Sequence, residues 1–154
     1  MPDEPSPIQL TPIGYVVTRY AEAAHAPSQS SENHRETGRV VLYEHFRDGL
    51  DGLDAFPYAW LLTWLHAQRD EQTVDLRVVP RALESTGQTR GVFATRSPHR
   101  VNRLGLSLVR VVRVEGSTVH FTGVDLVDGT PVLDIKPWFA STDSPPEHGD
   151  PTTG

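Results

Sequence analysis

The stretch Leu106-Ser-Leu-Val-Arg-Val-Val-Arg-Val114 is followed by a Glu115-Gly116 turn and then by Thr118-Val-His-Phe-Thr-Gly-Val124. Both runs are rich in β-branched residues, which favour strands, and the glycine between them suits a tight turn. In the second run Val119 and Phe121 alternate with polar residues, so one face of this strand is expected to be buried and the other wet. The stretch therefore predicts an antiparallel β-hairpin.

Similar apolar runs recur between turn residues along most of the chain. This spacing is typical of an all-β sandwich or barrel and not of alternating strands and helices. Helix signal is sparse, and only His45 to Ala55 indicates a turn or two. A length of 154 residues fits one domain. We expect this domain at residues 8–140, between disordered tails at 1–7 and 141–154 that are rich in Pro, Ser, Gly, Thr and Asp.

The composition limits the compartment and the chemistry. No apolar run approaches the ~20 residues of a membrane-spanning helix, and the N-terminus lacks the basic and apolar regions of a signal peptide. We therefore expect a cytoplasmic protein that does not enter a membrane. The chain has no cysteine, which excludes disulfides, thiolate zinc sites and a cysteine nucleophile. Its 7 histidines show no compact ligand spacing, so we expect no metal.

The net charge of −6 is unusual for a protein that binds nucleic acid, because phosphate binding generally relies on a basic surface. The charge is unevenly distributed, however. Acidic residues gather at both ends and between Glu44 and Asp54, whereas the middle of the chain is rich in arginine. These arginines are Arg77, Arg81, Arg90, Arg96, Arg100, Arg103, Arg110 and Arg113. The sequence therefore permits a local basic face.

Two polar motifs flank the hairpin. They are Gly91-Val-Phe-Ala-Thr-Arg-Ser-Pro-His-Arg-Val-Asn-Arg-Leu-Gly-Leu-Ser107 and Val124-Asp-Leu-Val-Asp-Gly-Thr-Pro-Val-Leu-Asp-Ile-Lys-Pro137. Together they resemble the TsaA-like, or TrmO, family of tRNA-modifying methyltransferases, whose sequences read roughly GVFATRSPxRPNPIGLS and DLxDGTPVxDIKPY. Upstream landmarks keep the family's order at Ile8–Val16, Gly38–Tyr43, Gly49–Phe56 and Trp60–His66. The resemblance therefore covers most of the chain.

The resemblance implies a single-domain β-barrel that binds S-adenosylmethionine near a homodimer interface. It also implies methyl transfer to N6 of threonylcarbamoyladenosine, next to the anticodon of tRNA. The chain lacks the glycine-rich fingerprint of nucleotide-binding βαβ units and a P-loop, which is consistent with a donor site on a barrel. A homodimer would also protect the exposed strand edges that a small barrel is expected to have.

The resemblance further implies which residues form the site. The predicted cofactor-binding residues are Pro27, Ser28, Gln29, His66, Ala67, Arg96, Leu106, Asp125, Leu126, Val127 and Asp128, and the predicted substrate-binding residues are Arg100, Asn102 and Arg103. Pro27 to Gln29 lie in a long polar loop, 21–37, and match a Pro-Arg-Gln-like element of the family without its arginine. The family's Arg-Pro-Asn-Pro is here Arg100-Val-Asn-Arg103, so two fixed backbone angles are lost.

Each of these residues also has a plain structural interpretation. Arg96 suits a carboxylate or phosphate through paired hydrogen bonds, but it could instead form an ion pair with Asp128. Asp128 begins an Asp-Gly-Thr-Pro turn in which its side chain would bind the backbone. His66 could be a strand-end histidine held by a backbone carbonyl. Asp134 and Lys136 are expected to form a buried or dimer-facing ion pair.

The sequence alone leaves other functions open. Methyl transfer by direct displacement needs alignment and no covalent residue, and a carboxylate, His66 or water could accept the proton of the attacking nitrogen. The acidic charge, the altered loop and the lack of an additional C-terminal region would fit a small-molecule acceptor. A nonenzymatic binder of S-adenosylmethionine or nucleotides is a third interpretation. A paired-carboxylate glycosidase is a weaker one, because spacing in sequence does not fix distance in space.

Overall fold

The computed structural model describes residues 3–21, 36–66, 74–123 and 125–146. Six strands form a closed barrel in the order β1-β2-β7-β6-β3-β8, with antiparallel pairing between neighbours, and two short strands, β4 and β5, form a separate sheet. The strands are β1 Gly14–Val17, β2 Thr37–Leu42, β3 Tyr58–Trp64, β4 Arg77–Val78, β5 Arg90–Gly91, β6 Leu104–Glu115, β7 Thr118–Thr122 and β8 Pro131–Pro137. The predicted all-β barrel is confirmed.

The predicted hairpin is formed by β6 and β7. Their pairing runs from Arg110↔Thr122 to Glu115↔Thr118, and Gly116 adopts the left-handed φ of 59° that the turn requires. β6 begins two residues before the predicted run, because its first half pairs with β3 from Trp64↔Leu104 to Tyr58↔Arg110. One long strand therefore joins two walls of the barrel.

The core fills the inside of the barrel. Along β3, buried residues alternate with partly exposed ones, so that Ala59, Leu61 and Thr63 point inward. Val119 and Phe121 of β7 are each 1% exposed, as the alternation in the sequence predicts. Each fully buried apolar side chain of this kind contributes about 1.5–3 kcal/mol of burial free energy. The core also includes Val16, Val40, Leu42, Leu50, Leu53, Val109, Leu126 and Val132.

Short helices complete the chain. The turns predicted at His45 to Ala55 are confirmed as 3₁₀ helices at Glu44–Leu50 and Leu53–Ala55, and further 3₁₀ helices lie at Arg81–Leu83 and Val92–Ala94. The first part of the predicted C-terminal tail forms helix α1, Ala140–Asp143, which the hydrogen bond from Phe139 N to Asp143 Oδ2 (2.8 Å) holds. None of the helices in the described part of the chain has the length and apolarity needed to cross a membrane.

Gly14 of β1 lies directly against the backbone of β2. A Cβ added there would overlap the Val41 carbonyl oxygen and lie 2.8 Å from the Leu42 Cα. Because both obstructing groups are main-chain atoms of β2, no side-chain rotation can relieve the overlap. Gly14→Ala should therefore lower the free energy of unfolding by about 1–3 kcal/mol.

Gly49→Ala is the matched control, since no atom lies within 4 Å of the Cβ it would add. Denaturant unfolding of both variants should show a clear loss for Gly14→Ala and a change within about 0.5 kcal/mol for Gly49→Ala. Equal stability of the two variants would contradict the described approach of β1 to β2.

Candidate functional site

A turn at residues 125–130 crosses one end of the barrel and is bound to β1 and the residues after it. Val16 N donates to Thr130 O (2.9 Å), Gly129 N donates to Val16 O (2.8 Å), and Asp128 N donates to Tyr20 O (2.7 Å). Gly129 has a φ of 79°, which a residue with a side chain rarely adopts. The backbone of this turn is therefore positioned by residues from the other end of the sequence.

Side chains strengthen the same connection. Thr18 N donates to Asp128 Oδ1 (3.0 Å), and Thr18 Oγ1 donates to Leu126 O (2.9 Å). Thr130 Oγ1 donates to Val127 O (2.6 Å) within the turn. The Asp128 carboxylate thus accepts a hydrogen bond from the backbone, as the structural interpretation proposed. Its partner, the Thr18 N–H, is 110 residues away in the sequence. The alternative ion pair between Arg96 and Asp128 is not formed.

His66 lies over this turn. It follows β3 directly, and its Nε2 is 4.0 Å from the position that a Cβ would take at Gly129. The side chain of His66 is solvent-exposed, and its backbone N–H donates to Trp64 O (2.9 Å). The structure therefore brings His66 and the turn together, as the sequence motifs predicted.

Asp125 lies against the inner side of β6. Ser107 Oγ donates to Asp125 Oδ1 (2.8 Å), and the Ser107 side chain is 2% exposed. This bond orients a half-buried carboxylate at the barrel end where His66 lies. Ser107 closes the first sequence motif, yet the prediction named only its neighbour Leu106.

Thr63 is a second polar residue on the inward face near Ser107. It pairs with Gly105 across the β3–β6 ladder and is completely buried. Its Oγ1 finds no hydrogen-bond partner among the described residues, and a Cβ at Gly105 would overlap it. An unsatisfied buried hydroxyl costs about 1–3 kcal/mol, so this atom is a group that a ligand or a water molecule would satisfy. A threonine at an inward position of an apolar strand was the sequence signal for it.

Other predicted donor residues occupy different positions. The side chain of Leu106 is on the outer face of β6 and is 51% exposed, whereas Leu126 is packed in the core. Val127 is partly buried and contributes the carbonyl that accepts from Thr130. Pro27, Ser28, Gln29 and Ala67 lie outside the described residues, as does most of the loop at 21–37. Contact of these residues with a donor stays a prediction.

The arginine motif forms a loop before β6. Arg96 is exposed, whereas Arg100 Nη1 donates to Thr95 O (2.8 Å) and Ser97 O (3.0 Å). Arg100 therefore braces the loop in which the family's two prolines are missing. The guanidinium carbon of Arg103 lies 5.1 Å from the centroid of the Trp64 ring, and Asn102 O accepts from Leu104 N (2.8 Å). A contact between Arg100, Asn102 or Arg103 and a substrate stays a prediction.

The expected ion pair between Asp134 and Lys136 is present, with Lys136 Nζ 3.1 Å from Asp134 Oδ2. The two side chains are 47% and 64% exposed, respectively. The expectation of a buried pair is therefore wrong for the single chain. A dimer-facing pair stays a prediction.

The chain is similar to known proteins over most of its length. Residues 15–144 match the family model of the tRNA-methyltransferase O N-terminal domain. A tRNA (adenine(37)-N6)-methyltransferase of Mus musculus is 38% identical over 138 residues, which are 87% of this chain and 31% of that protein. A probable S-adenosyl-L-methionine-binding protein of Methanothermobacter thermautotrophicus is 37% identical, over 89% of this chain and 94% of that protein.

Solved structures are similar as well. The crystal structure of TrmO from Pseudomonas aeruginosa matches with a TM-score of 0.75 and 33% identity, over 94% of this chain and 61% of that chain. The chain therefore spans about a third of the mouse relative's length, 61% of the TrmO crystal chain and nearly all of the archaeal relative.

Asp128 and Arg96 should differ in what they contribute to stability. Asp128→Ala removes the acceptor of the Thr18 N–H and should lower the free energy of unfolding by about 1 kcal/mol, which shifts the Tm by about 2–4 °C. Arg96→Ala should melt like the wild type, because Arg96 is exposed and its side chain has no hydrogen bond or ion pair in the described part of the chain.

Asp128→Asn is the matched control, because its amide oxygen can still accept the Thr18 N–H and should recover most of the loss. Thermal unfolding without ligand measures all three variants. A lower Tm for Arg96→Ala together with an unchanged Tm for Asp128→Ala would reverse these assignments.

Proposed function

The chain belongs to the tRNA-methyltransferase O N-terminal domain family, and we propose on that basis that it is an S-adenosylmethionine-dependent N-methyltransferase acting on tRNA. The proposed acceptor is N6 of threonylcarbamoyladenosine next to the anticodon. The observation that carries the proposal is the arrangement of His66, Ser107 and the turn at 125–130 at one end of the barrel. Both family motifs contribute to that arrangement.

The residues at this barrel end fit such a donor. S-adenosylmethionine carries a cationic sulfonium, an amino-acid group and an adenosine, and therefore needs negative charge together with several hydrogen-bonding groups. The half-buried Asp125 carboxylate supplies the charge, while Thr63 Oγ1 supplies a buried hydroxyl that has no partner in the described residues. Asp128 and Gly129 are exposed residues of the same turn as Asp125. When bound, the donor supplies an electrophilic methyl group.

The protein's contribution to transfer is alignment. A direct displacement requires the attacking nitrogen, the methyl carbon and the sulfur to lie in line, and a fixed binding site supplies that orientation. The hydrogen bonds of the turn to Val16, Thr18 and Tyr20 keep the site's backbone in place. The attacking nitrogen must release a proton, and the proposed acceptors are His66, the Asp125 carboxylate and water.

Several observations support tRNA as the acceptor. The mouse relative is named for methylation of adenine 37 in tRNA. The loop that precedes β6 presents the exposed Arg96 on the same motif as Ser107.

The Methanothermobacter relative, which this chain matches over nearly the whole length of both, is named only as a probable binder of the donor. Binding and transfer must therefore be measured separately.

S-adenosylmethionine should bind with a stoichiometry of about one per chain and raise the Tm, because a ligand of the native state adds apparent stability. Calorimetry and thermal unfolding measure this step. Incubation of purified protein and donor with tRNA that carries threonylcarbamoyladenosine should then yield the N6-methylated nucleoside, detected by mass spectrometry of the digested tRNA.

The outcomes separate the three functions. Absence of donor binding would contradict a donor-dependent function altogether. Donor binding without methylation of any tRNA would contradict the proposed acceptor and favour a small-molecule acceptor or a binding protein. Unmodified tRNA serves as the control, because it lacks the proposed methyl acceptor.

We also propose that the protein is a homodimer. The edge argument from the sequence is wrong, since each of the six barrel strands pairs on both sides and leaves no free edge. An apolar outer face on β3 and β6 supports the proposal instead. There Leu104 and Leu106, which are 47% and 51% exposed, lie opposite Trp64 and Leu62. A second copy would cover this face without a change of fold.

The exposed Asp134 and Lys136 lie on the adjoining strand β8, opposite Leu62 and Trp60. A twofold interface could use them as rim charges, with each subunit's pair facing its copy. The site's Ser107 is the next residue after Leu106 on the opposite side of β6, so this interface would adjoin the donor site.

Leu106→Lys should convert the dimer to a monomer, because it places a charge on a face that association would desolvate. Val79→Lys is the control, since Val79 is 42% exposed and lies outside the barrel strands. Light scattering at micromolar concentration should give dimer mass for the wild type and Val79→Lys. A wild-type monomer, or a dimeric Leu106→Lys, would contradict the proposed interface.

A further inference from the structure

A depression of about 410 Å³ lies on the wall formed by β1, β2, β7 and β6. It is distinct from the site at His66 and Ser107, neither of which lines it. Its lining consists of Val17, Thr18, Arg19, Thr37, Gly38, Arg39, Val112, Arg113, His120 and Phe121. The sequence motifs did not indicate this surface.

The charged residues that line the depression are all basic. Strand pairing places Arg39 of β2 and Arg113 of β6 on either side of His120 of β7. Arg39 forms no ion pair within the part of the chain that the structure describes, and its position is solvent-exposed. The depression is therefore a basic surface on a chain whose net charge is −6.

Two carboxylates lie at the rim and not in the lining. Glu36 forms an ion pair with Arg19, and Glu115 binds both Arg113 Nε (2.7 Å) and His120 Nε2 (3.3 Å). The hydrogen bond from Arg113 holds the pKa of Glu115 below its usual value, so this carboxylate is charged at neutral pH. It orients Arg113 and His120, whereas Arg39 has no carboxylate partner among residues 3–21, 36–66, 74–123 and 125–146.

The lining suits a phosphate group. An arginine fork donates parallel hydrogen bonds to phosphate oxygens, and the Thr37 hydroxyl can donate as well. A carboxylate ligand would satisfy the same donors, but it would not be repeated along a partner as phosphate is along a nucleic-acid strand.

The depression is linked to the donor turn through one residue. Thr18 lines it and donates its backbone N–H to Asp128 Oδ1 (3.0 Å). An RNA strand with its target base at the barrel end can therefore place a nearby part of its backbone along the adjacent wall. Phosphate contacts of this kind fix the register of a nucleic acid and do not read its sequence.

From this arrangement we propose that Arg39, together with Arg113 and His120, binds a backbone phosphate of the RNA substrate on the β2-β7-β6 wall. The inference rests on the proposed function, because it takes tRNA as the substrate. It adds a docking surface away from the reacting base. Affinity for RNA should depend on this surface, and affinity for the methyl donor should not.

The test compares Arg39→Gln with Arg47→Gln. Both remove one positive charge from an exposed arginine, but Arg47 lies on the 3₁₀ helix Glu44–Leu50 and does not line the depression. Binding of a fluorescent anticodon stem-loop is measured at several salt concentrations, alongside binding of S-adenosylmethionine and the Tm. Arg39→Lys serves as the conservative variant.

Arg39→Gln should weaken stem-loop binding about tenfold and reduce the slope of log K against log salt by about 1, because one phosphate contact is lost. Arg47→Gln should change neither quantity by as much as twofold. Arg39→Lys should retain most of the salt slope, because it keeps the charge. Donor binding and the Tm should stay at wild-type values in all three variants.

Different failures have different meanings. If the wild type methylates tRNA but Arg39→Gln binds the stem-loop normally, the inference is overturned and the proposed function stands. Equal losses in Arg39→Gln and Arg47→Gln would overturn it in favour of general charge attraction. If inorganic phosphate binds with the same dependence on Arg39 while the stem-loop does not, the surface is a site for free phosphate. If the wild type neither binds nor methylates RNA, both proposals fail.

Discussion

The hydrogen-bonded contact between β1 and the turn at 125–130 is the constraint on which the rest of the structure depends. Val16 exchanges backbone hydrogen bonds with Gly129 and Thr130, and Thr18 binds Asp128 through its own N–H. These bonds continue the short β1–β8 ladder, which pairs at two positions, Gly14↔Val132 and Tyr15↔Pro131. The same contact therefore closes the barrel and fixes the backbone of the turn at 125–130. A local change in the turn would affect both fold and site.

Closure of the barrel also determines which of its surfaces can contact another molecule. Because no barrel strand has a free edge in the described structure, a second copy cannot add a strand to the barrel, and association through the barrel must use an outer face. The polarity of the outer surface changes around the barrel. Exposed leucines lie on β6 next to β3, whereas arginines lie where β2, β7 and β6 meet. One small barrel can thus present an apolar face to a second copy and a basic face to a phosphate. The donor site that we propose lies at the barrel end formed by His66 and the turn at 125–130.

Much of this could be predicted from particular residues. The alternation of Val119 and Phe121 with polar neighbours predicted the β7 face correctly, and the two ordered motifs identified the family. The partner of Asp128 could not be predicted, because Thr18 is 110 residues away and carries no local signal. The basic depression was missed for the same reason. Arg39 lies outside the arginine-rich middle of the chain and approaches Arg113 only because both pair with His120 on β7.

The proposed donor site comprises Thr63, His66, Ser107 and the turn at 125–130. The most direct measurement is a titration of isotope-labelled protein with S-adenosylhomocysteine, the demethylated donor, followed by amide chemical-shift changes in NMR spectra. We expect the largest changes at residues 63–66, 105–107 and 125–130, with small changes at Arg39 and His120. Changes confined to the β2-β7-β6 wall, or saturation without any change at the turn, would contradict the account.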